Sequence, residues 1–248
     1  MASKNEAGYA KIVANMGILV ASCAANADRY KPCNKNLEIV ALETLHTTCD
    51  KAVTAVNTVF PAWATAVGAR DIVFSPVSKF VTRVYGAVVS CGTTKQMIAN
   101  FVTIKRKLQG TRASAKITVE EKAAAKAAGV EKKDGSVSQR SFDQVVNNFD
   151  AMVKLLGAIP EYTPNEDDLK ITALQTTFAN LVKTNKAVID ASNPLYKART
   201  VRNEALYAKD TGLVDICLAT KAYIKSVDGS KGRWFKQISG LKFARIKA

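Results

Sequence analysis

The sequence predicts an all-α fold: an internally duplicated, pseudo-symmetric helical bundle with a basic linker and a basic C-terminal tail. Three observations carry this expectation. Of 248 residues, 37 are alanine and only six are proline, a balance that favours helix. Apolar residues recur at three- and four-residue spacing along most of the chain, the mark of one buried helix face. A pattern of Tyr, Pro, Leu, Ile, Ala, Leu and Thr at residues 30–44 returns without gaps 132 residues later.

The elements follow in order. Ile12, Met16, Leu19, Cys23 and Ala27 trace the face of a first helix, which Tyr30-Lys31-Pro32 ends by opening a turn. Leu42, Leu45, Cys49, Val56 and Phe60 form a second face, and Val77, Val81, Val84, Val88 and Cys91 a third. Phe60-Pro61 and Ser75-Pro76 place proline in a first helical turn, where a missing N–H has no partner to lose. Cys91-Gly92-Thr93-Thr94 reads as a C-cap followed by an N-cap, opening a helix over 94–108. Residues 119–128, rich in Ala, Lys and Glu, read as a short solvated helix inside a flexible linker. The later chain repeats the period with Val145, Phe149, Met152 and Leu156, then Leu174, Phe178, Leu181 and Val188, then Leu213, Ile216, Tyr223 and Val227. Tyr162-Thr163-Pro164-Asn165 and Asn193-Pro194 punctuate it as before.

In the 132-residue register Tyr30 meets Tyr162 and Pro32 meets Pro164. Leu37, Ile39, Ala41, Leu42 and Thr44 meet Leu169, Ile171, Ala173, Leu174 and Thr176. Such an ungapped run argues for duplication, and two copies suit a bundle better than a solenoid. The expected divisions are 1–109, a first helical repeat with an extra basic helix; 110–140, an Ala/Lys-rich linker; 141–228, a second repeat; and 229–248, a basic aromatic tail.

Charge is unevenly placed. The chain carries 36 Lys and Arg against 21 Asp and Glu, a net charge of +15. Residues 95–140 hold eleven basic and four acidic residues, and residues 225–248 hold seven and one, so these segments supply +13 of the total. The repeats are nearly neutral. In the first of these segments Lys105, Arg106, Lys107 and Arg112 cluster at the end of the extra basic helix and the start of the linker, with Lys116, Lys132 and Lys133 beyond. In the tail Arg233, Trp234, Lys236, Lys242, Arg245 and Lys247 interleave cations with aromatic and aliphatic side chains. Such a mixture can grip phosphates and stack on bases. Docking of Trp234, Phe235, Leu241 and Phe243 on the bundle is the favoured reading, because water-exposed aromatic surface is costly.

Arg70 and Arg202 align in the repeat. They read either as a paired anion site on the pseudo-axis or as structural clamps, and the carboxylate-matching guanidinium favours the clamp. His46 is the only histidine. It stands three residues before Cys49 with no further ligand in view, and its counterpart is Phe178, so a core or boundary role is expected and no metal site. Glu166-Asp167-Asp168 suits a helix start. P-loop, GxGxxG, GxSxG and HExxH patterns do not occur in the sequence. The expectation is a non-enzyme without a cofactor.

Five cysteines, odd in number and without a CxxC pair, predict free thiols in a reducing cytoplasm. Ala21-Ser22-Cys23-Ala24-Ala25 imitates a leader cleavage site, but an amphipathic helix accounts for the same residues. No run of 18 uninterrupted apolar residues occurs, so no transmembrane helix is expected.

Several longer motifs carry a resemblance. Phe74-Ser75-Pro76-Val77-Ser78-Lys79-Phe80-Val81-Thr82-Arg83-Val84, Arg202-Asn203-Glu204-Ala205-Leu206-Tyr207, Thr211-Gly212-Leu213-Val214-Asp215, Ala222-Tyr223-Ile224-Lys225-Ser226-Val227 and the run from Phe235 to Phe243 are similar to an uncharacterised helical family of Bacteroidota, chiefly flavobacteria. The resemblance covers most of the chain outside the linker. It implies fold and source, not an activity, because the function of that family is unknown. Residues 228–234 depart from it by being more basic and polar.

The functional expectation is a structural or scaffolding protein that self-associates or binds partners through its bundle faces and contacts a polyanion through its basic segments. The alternative is a nucleic-acid-binding protein that uses the tail and the 105–112 segment.

Overall fold

A computed structural model of the chain describes residues 8–112, 118–128 and 139–246. Among these residues the regular elements are helices, with no strand. They run α1 (Tyr9–Ala24), a 3-10 turn (Lys35–Leu37), α2 (Ile39–Phe74), α3 (Val77–Ser90), α4 (Lys95–Gln109), α5 (Val119–Ala127), α6 (Phe142–Gly157), a second 3-10 turn (Asp167–Leu169), α7 (Ile171–Tyr207), α8 (Leu213–Asp228) and α9 (Arg233–Ser239).

Local chemistry sets the boundaries. The Thr94 hydroxyl accepts the Met97 N–H and the Ser141 hydroxyl accepts the Gln144 N–H, capping α4 and α6. Thr118 and Glu121 form a reciprocal capping box on α5. α4 stops at Gly110, which takes the left-handed φ of 69° that a side chain disfavours. The Thr111 N–H then reaches back to the Arg106 carbonyl. The first helix ends at Ala24, earlier than the Tyr30-Lys31-Pro32 signal suggested, and residues 25–29 form turns.

Two proline readings are corrected. Pro61 and Pro194 lie inside α2 and α7, which have 36 and 37 residues, rather than in a first turn. Each removes one backbone donor and crowds the preceding turn, at a cost of about 3 kcal/mol in an ordinary helix. Packed side chains on both sides of each proline keep the helix continuous: Val56 is buried in α2 and Val73 is packed on a core beyond Pro61, and Val188 and Leu195 flank Pro194. Ser75-Pro76 behaves as expected, with Pro76 at the N-cap of α3.

The chain forms two compact units. The first comprises Met1–Ala64 and Ala191–Ala248, and the second Thr65–Asp190. The division therefore falls within α2 and α7, not in the 110–140 linker. The core of the first unit gathers Met16, Leu19, Cys23, Leu42, Cys49, Leu206, Cys217, Ile224, Trp234 and Ile238. The core of the second gathers Val81, Val84, Val88, Phe101, Phe149, Met152, Leu156, Leu174 and Leu181. Each fully buried side chain of this size stabilises the fold by roughly 1.5–3 kcal/mol. Phe60 departs from its expected core face and is 44% exposed.

Element positions recur. The two 3-10 turns begin 132 residues apart, and so do α2 and α7. The buried Tyr30 hydroxyl donates to the Leu37 carbonyl at 2.7 Å, and the Tyr162 hydroxyl donates to the Leu169 carbonyl at 3.0 Å. Each phenol thereby latches a loop onto its 3-10 turn. After the long helices the spacing becomes 136. Val77, Val81, Val84 and Val88 are buried in α3, and Leu213, Cys217, Thr220 and Ile224 in α8. In the same register the Ser90 hydroxyl donates to the Ala87 carbonyl and the Ser226 hydroxyl to the Tyr223 carbonyl.

One stretch, Ile39–Ser90, contains an 18-residue window of mean hydropathy 1.3 that meets the length and composition needed to cross a membrane; 22% of that window is buried.

Candidate functional site

The C-terminal tail is built into the first unit. Trp234 is 3% exposed, Ile238 1% and Phe243 8%. The Trp234 indole N–H donates to the Ser22 hydroxyl at 2.9 Å, which satisfies the ring's one polar atom. Its ring meets Tyr30 edge-on, and Tyr30 in turn meets Tyr223 edge-on at 5.2 Å between centroids. The Lys221 ammonium donates to the carbonyls of Ser239 and Leu241 at 2.9 and 2.8 Å, and the Asn15 amide donates to the Lys242 carbonyl at 3.0 Å. These bonds pair backbone acceptors at and beyond the end of α9.

Asp228 fixes the start of α9. Its carboxylate pairs with Arg29 at 2.7 Å and accepts the Phe235 N–H at 3.0 Å. The Arg29 hydrogen bond, helped by the backbone N–H groups of Phe235 and Trp234, holds the carboxyl below the usual carboxylate range. Any side chain at Gly232 would collide with Asp228, so this approach requires glycine.

Docking sorts the expected polyanion residues. Trp234 is corrected: its ring lies in the core, because burial of indole surface outweighs exposure, and it offers no face to a base. Arg233, Lys236, Lys242 and Arg245 are exposed on the docked segment. Arg245 lies 3.3 Å from Asp215, a solvent-facing pair that holds the guanidinium only weakly. Lys116, Lys132, Lys133 and Lys247 lie outside the described residues.

The other basic group belongs to the second unit, at the end of α4. The Lys105 ammonium sits 3.9 Å from the centre of the Tyr85 ring, a cation–π contact. Arg106 Nε donates to the Val102 carbonyl at 3.4 Å, and Lys107 and Arg112 are exposed. Cations in this last turn also complement the helix dipole.

Arg70 and Arg202 are each engaged within their own unit. Arg202 is 8% exposed; its guanidinium lies 3.5 Å from the Tyr9 ring centre and donates twice to the Asn203 side-chain oxygen. Arg70 lies 3.6 Å from the Phe142 ring centre and donates to Asn185, whose amide donates to Asp143 at 2.7 Å. The Arg70 Nε is buried without a hydrogen-bond partner. Tyr9 opens α1 and Phe142 opens α6, so each arginine covers an aromatic ring at a helix start.

His46 is half-buried and packs over Gly17, with Nε2 3.0 Å from where a Cβ would stand. Among the described residues no three metal-ligating side chains come together. Cys23, Cys33, Cys49, Cys91 and Cys217 are free thiols. Burial pushes Cys23 and Cys49 up to about 11 and Cys217 higher still, so these three are poor nucleophiles.

Sequence reasoning missed a groove in the second unit. It has a volume of about 640 Å³ and runs between α3 and the 161–169 loop, past Arg83, Ala87, Cys91, Glu161, Tyr162 and Glu166. Burial raises the Tyr162 hydroxyl to about 12, so that phenol stays protonated on the Leu169 carbonyl. Arg83 is forked onto Asp168 at 2.6 and 3.1 Å.

No family model, no curated protein and no solved structure matches this chain.

Proposed function

We propose that this chain is a non-enzymatic scaffolding protein, built by internal duplication, that presents a rigid basic patch to a polyanion. The observation that carries the reading is the docked tail. Burial of Trp234, Ile238 and Phe243 fixes α9 and the residues after it, with Arg233, Lys236, Lys242 and Arg245 on the outside. A cation held in place loses less conformational entropy on binding than one on a free arm. The duplication is supported by the shared spacing of the 3-10 turns and long helices and by the matched Tyr30 and Tyr162 latches. Free thiols agree with the proposed reducing, cytoplasmic setting.

Nucleic acid is the narrower reading. The exposed Lys107 and Arg112 favour it as a second phosphate-contacting group, whereas burial of Trp234 turns it away from base stacking and toward backbone contact. The test is size exclusion of the native protein at low salt, with absorbance at 260 and 280 nm, before and after nuclease. The scaffold reading expects a nuclease-resistant mass at a discrete multiple of 26.7 kDa. Co-eluting nucleic acid, with a mass that collapses after nuclease, favours the narrower reading. A clean monomer that retains no polyanion contradicts both.

A further inference from the structure

The groove at Tyr162 has a filled counterpart. In the first unit Tyr30 is covered by Tyr223 from α8 and by Trp234 from α9, and the Lys31 N–H donates to the Tyr223 hydroxyl at 3.0 Å. In the second unit the position matching Tyr223 is Ala87, and the position matching Lys31 is Thr163; both line the groove. Beside Ala87, a Cβ added to Gly86 would meet nothing within 4 Å. The small side chain of Ala87 thus leaves open the place that the Tyr223 ring fills beside Tyr30.

Charge is also complementary. Trp234 arrives in the first unit between Arg233 and Lys236 on a basic helix. The Tyr162 groove carries the exposed carboxylates of Glu161 and Glu166, and the charge of its one lining cation, Arg83, is neutralised by Asp168. Its volume of about 640 Å³ falls within the usual range of binding clefts. This chain's own α9 is held in the first unit with Trp234 buried, so the occupant comes from elsewhere.

We infer that the Tyr162 groove docks a partner polypeptide that presents an aromatic side chain flanked by Lys or Arg. The ring takes the space over Ala87 and Gly86, and the cations meet Glu161 and Glu166. The inference goes beyond polyanion contact: it concerns the other unit and the opposite charge, so either can fail alone.

The test titrates full-length protein into a fluorescently labelled, end-blocked peptide of residues 231–241, read by anisotropy. Saturable binding is expected, lost when the peptide's Trp is replaced by Ala. Ala87→Tyr, which supplies the ring found in the first unit, weakens binding about tenfold or more, the cost of about 1.4 kcal/mol. The exposed pair Glu161→Gln and Glu166→Gln weakens it several-fold without changing the melting temperature, as does raising salt from about 50 to about 500 mM. Absence of binding overturns the inference. So does binding that Ala87→Tyr and the Gln pair leave intact, which marks exchange with the chain's own tail. A concentration-dependent dimer that Ala87→Tyr abolishes, without peptide binding, overturns it too.

Discussion

The rings of Tyr30 and Trp234 meet edge-on, with centroids 6.2 Å apart and planes at 80°. This contact joins residues 204 positions apart in sequence, between the loop after α1 and the first turn of α9. It makes the basic tail part of the core of the first unit, and the exposure of the tail's cations follows from it.

Trp234→Ala should therefore destabilise the protein by about 3–5 kcal/mol, the usual cost of truncating a buried aromatic side chain. Ser22→Ala should cost about 1 kcal/mol, because it leaves the indole N–H unpaired. Chemical denaturation measures both. A Trp234→Ala loss within about 0.5 kcal/mol, the range of surface substitutions, would mean that the tail is not docked.

Arg202 and Tyr9 should be coupled. A double-mutant cycle with Arg202→Met and Tyr9→Leu should return about 1–2 kcal/mol, since the guanidinium is largely removed from water over the ring. Arg202→Lys should recover little of this, because an ammonium neither stacks flat nor forks onto Asn203. Additive single effects would remove the cation–π account of the buried arginine.

Asp228 should give the first unit an acid-sensitive latch. Its carboxyl is held below the usual range by Arg29 and by the Phe235 N–H. A depressed folded-state pKa gives stability that is fully present above the unfolded value, about 3.9 for Asp. That stability is lost as pH falls through the folded-state value. Asp228→Asn should lower stability near neutral pH and flatten its decline in acid. Parallel acid limbs in wild type and variant would contradict the latch.

Thiol chemistry should follow burial. Cys33 is exposed and Cys91 half-buried, while Cys23, Cys49 and Cys217 are buried with raised pKa values. A disulfide reagent should label Cys33 quickly and Cys91 more slowly, and reach the other three only on unfolding. Rapid labelling of all five in native buffer would contradict the packing of the first unit.

Much of the fold was legible because its signals are local. The faces of α3 and α6 follow three- and four-residue spacing, and Thr94 marks a helix start in sequence as in space. Pro61 and Pro194 misled because a local rule cannot register side chains that pack on both sides of a proline. The tail's docking was legible from the cost of exposed Trp and Phe, but Trp234's withdrawal from the binding set was not, since the same ring suits a core or a nucleobase. The Tyr162 groove stayed hidden because the buried positions of α3 and α8 fall 136 residues apart, not 132. In the ungapped register Ala87 never faces Tyr223. The signal was the pair of small residues Gly86-Ala87 together with the recurrence at 162–169 of the Tyr, Pro and Leu spacing of 30–37.

The central claim is that the docked tail presents cations to a polyanion. The most direct measurement is the affinity of full-length protein for a labelled duplex DNA and a sulfated polysaccharide across a salt series. It is made for wild type and for Arg233→Glu with Lys236→Glu. The account predicts binding to both polyanions that weakens steeply with salt. For DNA, the variant should lose affinity and its log–log salt slope should fall by about two, one counterion for each contact removed. Binding that charge reversal leaves unchanged, or no binding at low salt, would contradict it.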